Sequence, residues 1–291
     1  MKASLATHLH QTLRTTLWLA SLLGVAFDGR SDTELTTGHT DVGIVYEDDA
    51  WNLHIGRHED SPPAEYAPNE AVLQVAPASK TSVPASPAFA FLGEPGAPIY
   101  VLPEVHNPAL LFLGLGTEEL ASGLFVNDQV QLHLKGVTGP GQFFVYELSA
   151  LGTPTVFMNS RDGIASNDVV TLTAGGHRHV NWAFSTPGTY QVAFEASGTL
   201  ATNNQFTASG PVTYTFKVLG ESPTLQISGS SNGVQLDWQS VLDVNYQIQS
   251  RPSVGSGQWT NWGEPTPGTG TPLSIPIPQS SSNEFFRVRL E

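Results

Sequence analysis

From residue 28 onward, apolar and polar side chains alternate in short runs. Val42-Gly43-Ile44-Val45-Tyr46, Trp51-Asn52-Leu53-His54-Ile55, Val130-Gln131-Leu132-His133-Leu134, Val169-Val170-Thr171-Leu172, Thr189-Tyr190-Gln191-Val192-Ala193-Phe194 and Val212-Thr213-Tyr214-Thr215-Phe216-Lys217-Val218 follow this pattern. A period of two places successive side chains on opposite faces of a strand. Each run is bounded by Gly, Pro, Asn or Asp, the residues that break strands into turns. No long segment keeps a helical period without Gly or Pro, so helices are expected to be few and short. The pattern predicts an all-β fold: an antiparallel β-sandwich of jelly-roll or Ig-like type plus a small C-terminal β-sandwich module. Glu47-Asp48-Asp49 reads as a hairpin turn.

The sequence divides into three parts. In residues 1–26, Lys2 and Arg14 precede the apolar run Leu17 to Phe27, and Gly24-Val25-Ala26 supplies small residues for a cut after Ala26. This run is short for a bilayer span and suited to a secretory signal peptide. Residues 27–220 form the main expected domain. A boundary is expected near Gly220-Glu221-Ser222-Pro223, and residues 221–291 carry their own core candidates. Leu236-Asp237-Trp238, Tyr246-Gln247-Ile248-Gln249-Ser250, Gln258-Trp259-Thr260-Asn261-Trp262 and Phe285-Phe286-Arg287-Val288-Arg289 together resemble a fibronectin type III-like module. Trp182, Trp238 and Trp259 are expected in strand cores.

Composition narrows the chemistry. The 291 residues include 12 Lys+Arg against 26 Asp+Glu, a formal charge of −14, which argues against a nucleic-acid partner. The chain has no Cys, so thiolate zinc sites, iron–sulfur clusters and disulfides are excluded together. Residues 28–66 hold ten acidic and two basic side chains, beside three histidines. Such a stretch attracts cations.

The histidines are the candidate chemistry. His177 and His179, at i and i+2 on an expected strand, project from one face while Arg178 points away. His39 and Asp41 form a second i, i+2 pair, and His54 and His58 lie four apart with Gly56 between them. Neutral imidazole and carboxylate are the ligands expected of Zn²⁺ or Cu²⁺ in a thiol-free protein. Three or four of these six groups meeting at one point suffice for a tetrahedral site. The alternative is that the pairs are polar strand faces or local hydrogen-bonders. His133 is expected on a solvated face and His106 in a loop.

Enzyme motifs mostly fail, although 26 acidic side chains leave a catalytic carboxylate pair open. His54-Ile55-Gly56-Arg57-His58 lacks the Glu of a His-Glu-x-x-His helix. Gly229-Ser230-Ser231-Asn232-Gly233 joins two expected strands, not a strand to a helix, so it is a hairpin loop and not a nucleophile elbow. Gly114-Leu115-Gly116 lacks the βαβ setting of a dinucleotide site.

Four segments carry a family likeness: Gly38-His39-Thr40-Asp41-Val42-Gly43, Trp51-Asn52-Leu53-His54, Pro87-Ala88-Phe89-Ala90-Phe91-Leu92-Gly93, and the block from Gly175 to Tyr190 that contains His177-Arg178-His179-Val180-Asn181-Trp182-Ala183-Phe184. Residues 35–219 thereby resemble the choice-of-anchor M, or surface-anchored protein, domain of bacterial cell-envelope proteins. The resemblance implies an exported β-domain, whose relatives in some bacteria accompany metal-uptake transporters. The expectation is therefore a secreted, non-catalytic envelope protein that binds Zn²⁺ or Cu²⁺, with no membrane span in the mature chain. The alternative is an adhesive or structural surface module that binds glycans or neighbouring envelope proteins, its histidines incidental.

Overall fold

The computed structural model describes residues 33–57, 60, 62–221, 223–230, 233–242, 244–253, 257–278 and 284–290. The expected signal peptide, residues 1–26, and His58 lie outside the described residues. Alternation of apolar side chains builds the fold as expected: it is all-β, and its helical turns are three short 3-10 segments among the described residues. In the Gly188–Leu200 strand, Tyr190, Val192, Phe194 and Ala196 are fully buried, while Gln191 between them is exposed.

Three sheets share the main core. A seven-stranded sheet runs in the order Thr33–Leu35, Ala71–Val75, Val212–Val218, Gly188–Leu200, Phe125–Thr138, Val169–Thr173, with Phe206–Ala208 paired onto Gly188–Leu200. It packs against two five-stranded sheets. One consists of Pro154–Asn159, Phe143–Leu148, Asn181–Phe184, Pro98–Leu102 and Lys80–Ser82. The other, which carries the site, has the order His177–His179, Leu111–Gly116, Gly38–Glu47, Ala50–Arg57, Ala64–Tyr66. Aromatic contacts tie the layers: Phe143 lies 6.0 Å from Phe194, and Tyr46 lies 5.5 Å from Phe125, between ring centroids.

The sheet of Phe143–Leu148 is buried on both faces. Phe143 and Val145 enter the main core, whereas Phe144 and Tyr146 meet Val83, Leu92 and Ile99 on the other side. Phe89 and Phe91, from the Pro87-to-Gly93 segment, cover that second face, with Phe91 5.4 Å from Tyr146. Residues 177–184 pass from one five-stranded sheet to the other: His177–His179 belongs to the site sheet and Asn181–Phe184 to its neighbour.

Two expectations need correction. The sandwich is not purely antiparallel, because Thr33–Leu35 with Ala71–Val75, Ala71–Val75 with Val212–Val218, and Gly38–Glu47 with Leu111–Gly116 are parallel pairs. Parallel neighbours need a long crossover, so strand periodicity carries no sign of them. Trp259 is not a core residue; it is half-buried, with the guanidinium of Arg251 4.4 Å from the ring on one side and that of Arg287 at 4.5 Å. Cation–π contact holds it at the surface.

The Glu47-Asp48-Asp49 hairpin is as expected. Glu47 pairs with Ala50 across a two-residue loop, and Asp48 and Asp49 have φ of 50° and 62°, the mirror-image turn that suits strand twist. The C-terminal strands have a separate core of Leu236, Trp238, Val244, Tyr246, Ile248, Ile277 and Val288. Among the described residues no helix is long and apolar enough to cross a membrane.

Candidate metal centre

The strand 38–47 turns Val42 and Ile44 into the core, so His39, Asp41 and Gly43 lie on the opposite, outer face. Its parallel neighbour places Phe112 beside His39, Gly114 beside Asp41 and Gly116 beside Gly43. On the far side of that neighbour, His179 pairs with Gly114 and His177 with Gly116. Gly114 is therefore flanked by Asp41 on one strand and His179 on the other. A Cβ at this position would overlap Asp41 Oδ1 and stand 2.8 Å from His177 Nε2 and 3.1 Å from His179 Cε1. The missing side chain leaves the space into which Asp41, His177 and His179 reach.

His39, Asp41, His177 and His179 each offer a ligand atom, all within 4.8 Å of one another. His177 Nε2 is 2.8 Å from Asp41 Oδ1, His39 Nε2 is 3.3 Å from the same oxygen, and the two Nε2 atoms are 3.2 Å apart. Bonds of about 2.0–2.1 Å from a metal to four ligands give a tetrahedron with edges of about 3.3 Å. The observed separations are close to those edges. The described group can thus hold a metal ion.

Its surroundings fix the rings. His179 stacks on Phe112 with centroids 3.6 Å apart and planes 6° from parallel, and His106, in a loop as expected, meets the same Phe112 edge-on at 5.2 Å. His177 Nδ1 is 3.9 Å from Glu118 Oε1, a carboxylate placed behind a ligand imidazole. Arg178 points the other way, paired with Glu147 and 4.6 Å over the ring of Phe157.

Burial holds the pKa of His179 down at about 4; nearby His177 and His39 push in the same direction, while Asp41 and the Leu113 backbone oppose them. Its lone pair is therefore available to a cation across the mildly acidic range. The unfolded chain binds a proton at His179 near the ordinary value of about 6.5, which the folded metal-free protein refuses until about pH 4. His179 accordingly makes folding stability fall as pH drops through that window. Thermal melts of EDTA-treated protein between pH 7 and 4 should show this slope, and His179→Asn should flatten it; an unchanged slope in the variant would refute the assignment.

His54 does not join the four. It pairs with Gly43, whereas Asp41 pairs with Gly56, so His54 is a diagonal neighbour of Asp41, with Cα atoms about 7–8 Å away in such an arrangement. Its ligand atoms lie instead with those of Glu65 and Glu119, all within 4.8 Å of one another. His133 departs from the expected solvated position: it is half-buried, 3.0 Å from Ser197 Oγ, and burial lowers its pKa, against the pull of Glu195. Sequence reading missed Gly114, Phe112, Glu118, Glu65 and Glu119. The available signal was Gly114-Leu115-Gly116, two glycines on one strand face beside two His pairs of the same period. No family model and no curated protein sequence matches the chain.

Proposed function

We propose that this chain is an exported, non-catalytic cell-envelope protein that binds Zn²⁺ or Cu²⁺ through His39, Asp41, His177 and His179, in a role such as metal acquisition. The observation that carries the reading is the convergence of three imidazoles and one carboxylate beside Gly114, three of them directly over it. Imidazole-rich sets suit zinc and copper over calcium or magnesium. Four protein ligands fill a tetrahedron and leave no position for substrate or activated water, which favours binding over catalysis. The signal-like segment around Leu17 to Phe27 and the choice-of-anchor M resemblance support the exported setting. The acidic stretch of residues 28–66, which contributes His39 and Asp41, favours capture of a cation.

The test is elemental analysis of protein purified without chelator, with calorimetric titration of the stripped form. One tightly held equivalent of zinc or copper is expected. The double variant His177→Ala/His179→Ala loses two of four ligands and should lose more than the about 10–100-fold in affinity that outer-shell changes cost. Protein that is metal-free as isolated and takes up neither Zn²⁺ nor Cu²⁺ overturns the reading.

A further inference from the structure

The outer face of the site sheet carries a second group of donors that shares no residue with the first. His54, Glu65 and Glu119 come from the strand Ala50–Arg57, the strand Ala64–Tyr66 and the turn after Leu111–Gly116. His54 is 5% exposed, and neither of its ring nitrogens has a hydrogen-bond partner. A neutral imidazole carries one donor and one acceptor, so burying both unsatisfied is costly. The ring stands over Gly43, where an added Cβ would crowd Nε2 and Cε1 and lie 2.9 Å from Cδ2. From there Nε2 faces Glu119 Oε1 across 3.7 Å, a gap beyond hydrogen-bond length. Glu119 and Glu65 are both exposed and reach the buried nitrogen from the solvent side.

We propose that His54, Glu65 and Glu119 form a second divalent-cation site on this face, beside the His39/Asp41/His177/His179 group. A cation gives the buried Nε2 the partner it lacks and neutralises two carboxylates at once. One nitrogen and two carboxylate oxygens form a harder donor set than three imidazoles and one carboxylate, suited to Mn²⁺-like ions, and three protein ligands leave coordination positions for water. The site is therefore expected to bind more weakly and exchange faster than the four-ligand group. The adjacent Glu118 and Glu119 divide between the two: Glu118 stands behind His177, and Glu119 faces His54.

The two groups are tested separately. Mn²⁺ is titrated into full-length protein, with and without one prior equivalent of Zn²⁺, and free Mn²⁺ is read from its electron paramagnetic resonance signal. One Mn²⁺ should bind in either case. Glu65→Gln/Glu119→Gln, which alters exposed side chains and leaves His54 in place, should weaken that binding about tenfold or more. His177→Ala/His179→Ala should leave it intact, so failure of the four-ligand reading does not remove this one. Wild-type protein that leaves the Mn²⁺ signal at its free amplitude, or Mn²⁺ binding unaltered in Glu65→Gln/Glu119→Gln, overturns the proposal.

Discussion

Gly114→Ala is expected to lower affinity for Zn²⁺ or Cu²⁺ by about 100-fold or more, the upper end of what changes outside the ligand atoms themselves cost, without disturbing the fold. The added methyl overlaps Asp41 Oδ1 and stands 2.8 Å from His177 Nε2, closer than real Cβ contacts come, so at least two of the four donors must move. Yet Gly114 lies within a regular strand and is not among the positive-φ glycines, so alanine suits its backbone. Chelator competition should report the affinity loss, while melting of the metal-free variant should stay within about 1 kcal/mol of wild type. An alanine variant with wild-type affinity would exclude these four side chains as the ligands.

The largest stability effect is expected at Trp182. Its side chain is fully buried, its ring centroid is 6.0 Å from Phe194 and 6.1 Å from Phe216, and its indole N–H donates to the Leu113 carbonyl at 3.1 Å. Trp182→Ala leaves a large cavity between the sheets, worth about 3–5 kcal/mol. In a unit of this size each kcal/mol moves the melting temperature by about 2–4 °C, so a drop on the order of 10 °C is expected in calorimetry. Trp182→Phe keeps most of the packing and loses the hydrogen bond, about 1 kcal/mol. A Trp182→Ala protein that melts with wild type would contradict the central place given to this ring.

The strands were legible because one face of each packs on a core, and burial writes itself into the sequence as a period of two. The same period placed His39 with Asp41, and His177 with His179, on common faces. What could not be read was that the two pairs meet. That depends on the strand Leu111–Gly116 inserting between them, parallel to one and antiparallel to the other. Pairing across such distances leaves no local trace, and glycines, which have no side chain, add nothing to a hydrophobic pattern. For the same reason the sequence does not separate His54 from the other candidates: its membership turns on whether it faces Asp41 or Gly43, a matter of register alone. Trp259 reads as a core residue in the sequence because a large aromatic ring satisfied by two guanidiniums has the same signature as one satisfied by a core.

Asp41 and His177 are 136 positions apart in the chain. An ion held by both therefore acts as a cross-link that closes most of the main sandwich into a loop. In the chain-entropy view, a covalent clip across about 100 residues contributes about 4.7 kcal/mol, by restricting the unfolded chain. This protein has no cysteine with which to make such a clip. A reversible bond between the strand Gly38–Glu47 and the segment leading into Trp182 would make metal supply a control on how long the chain stays folded.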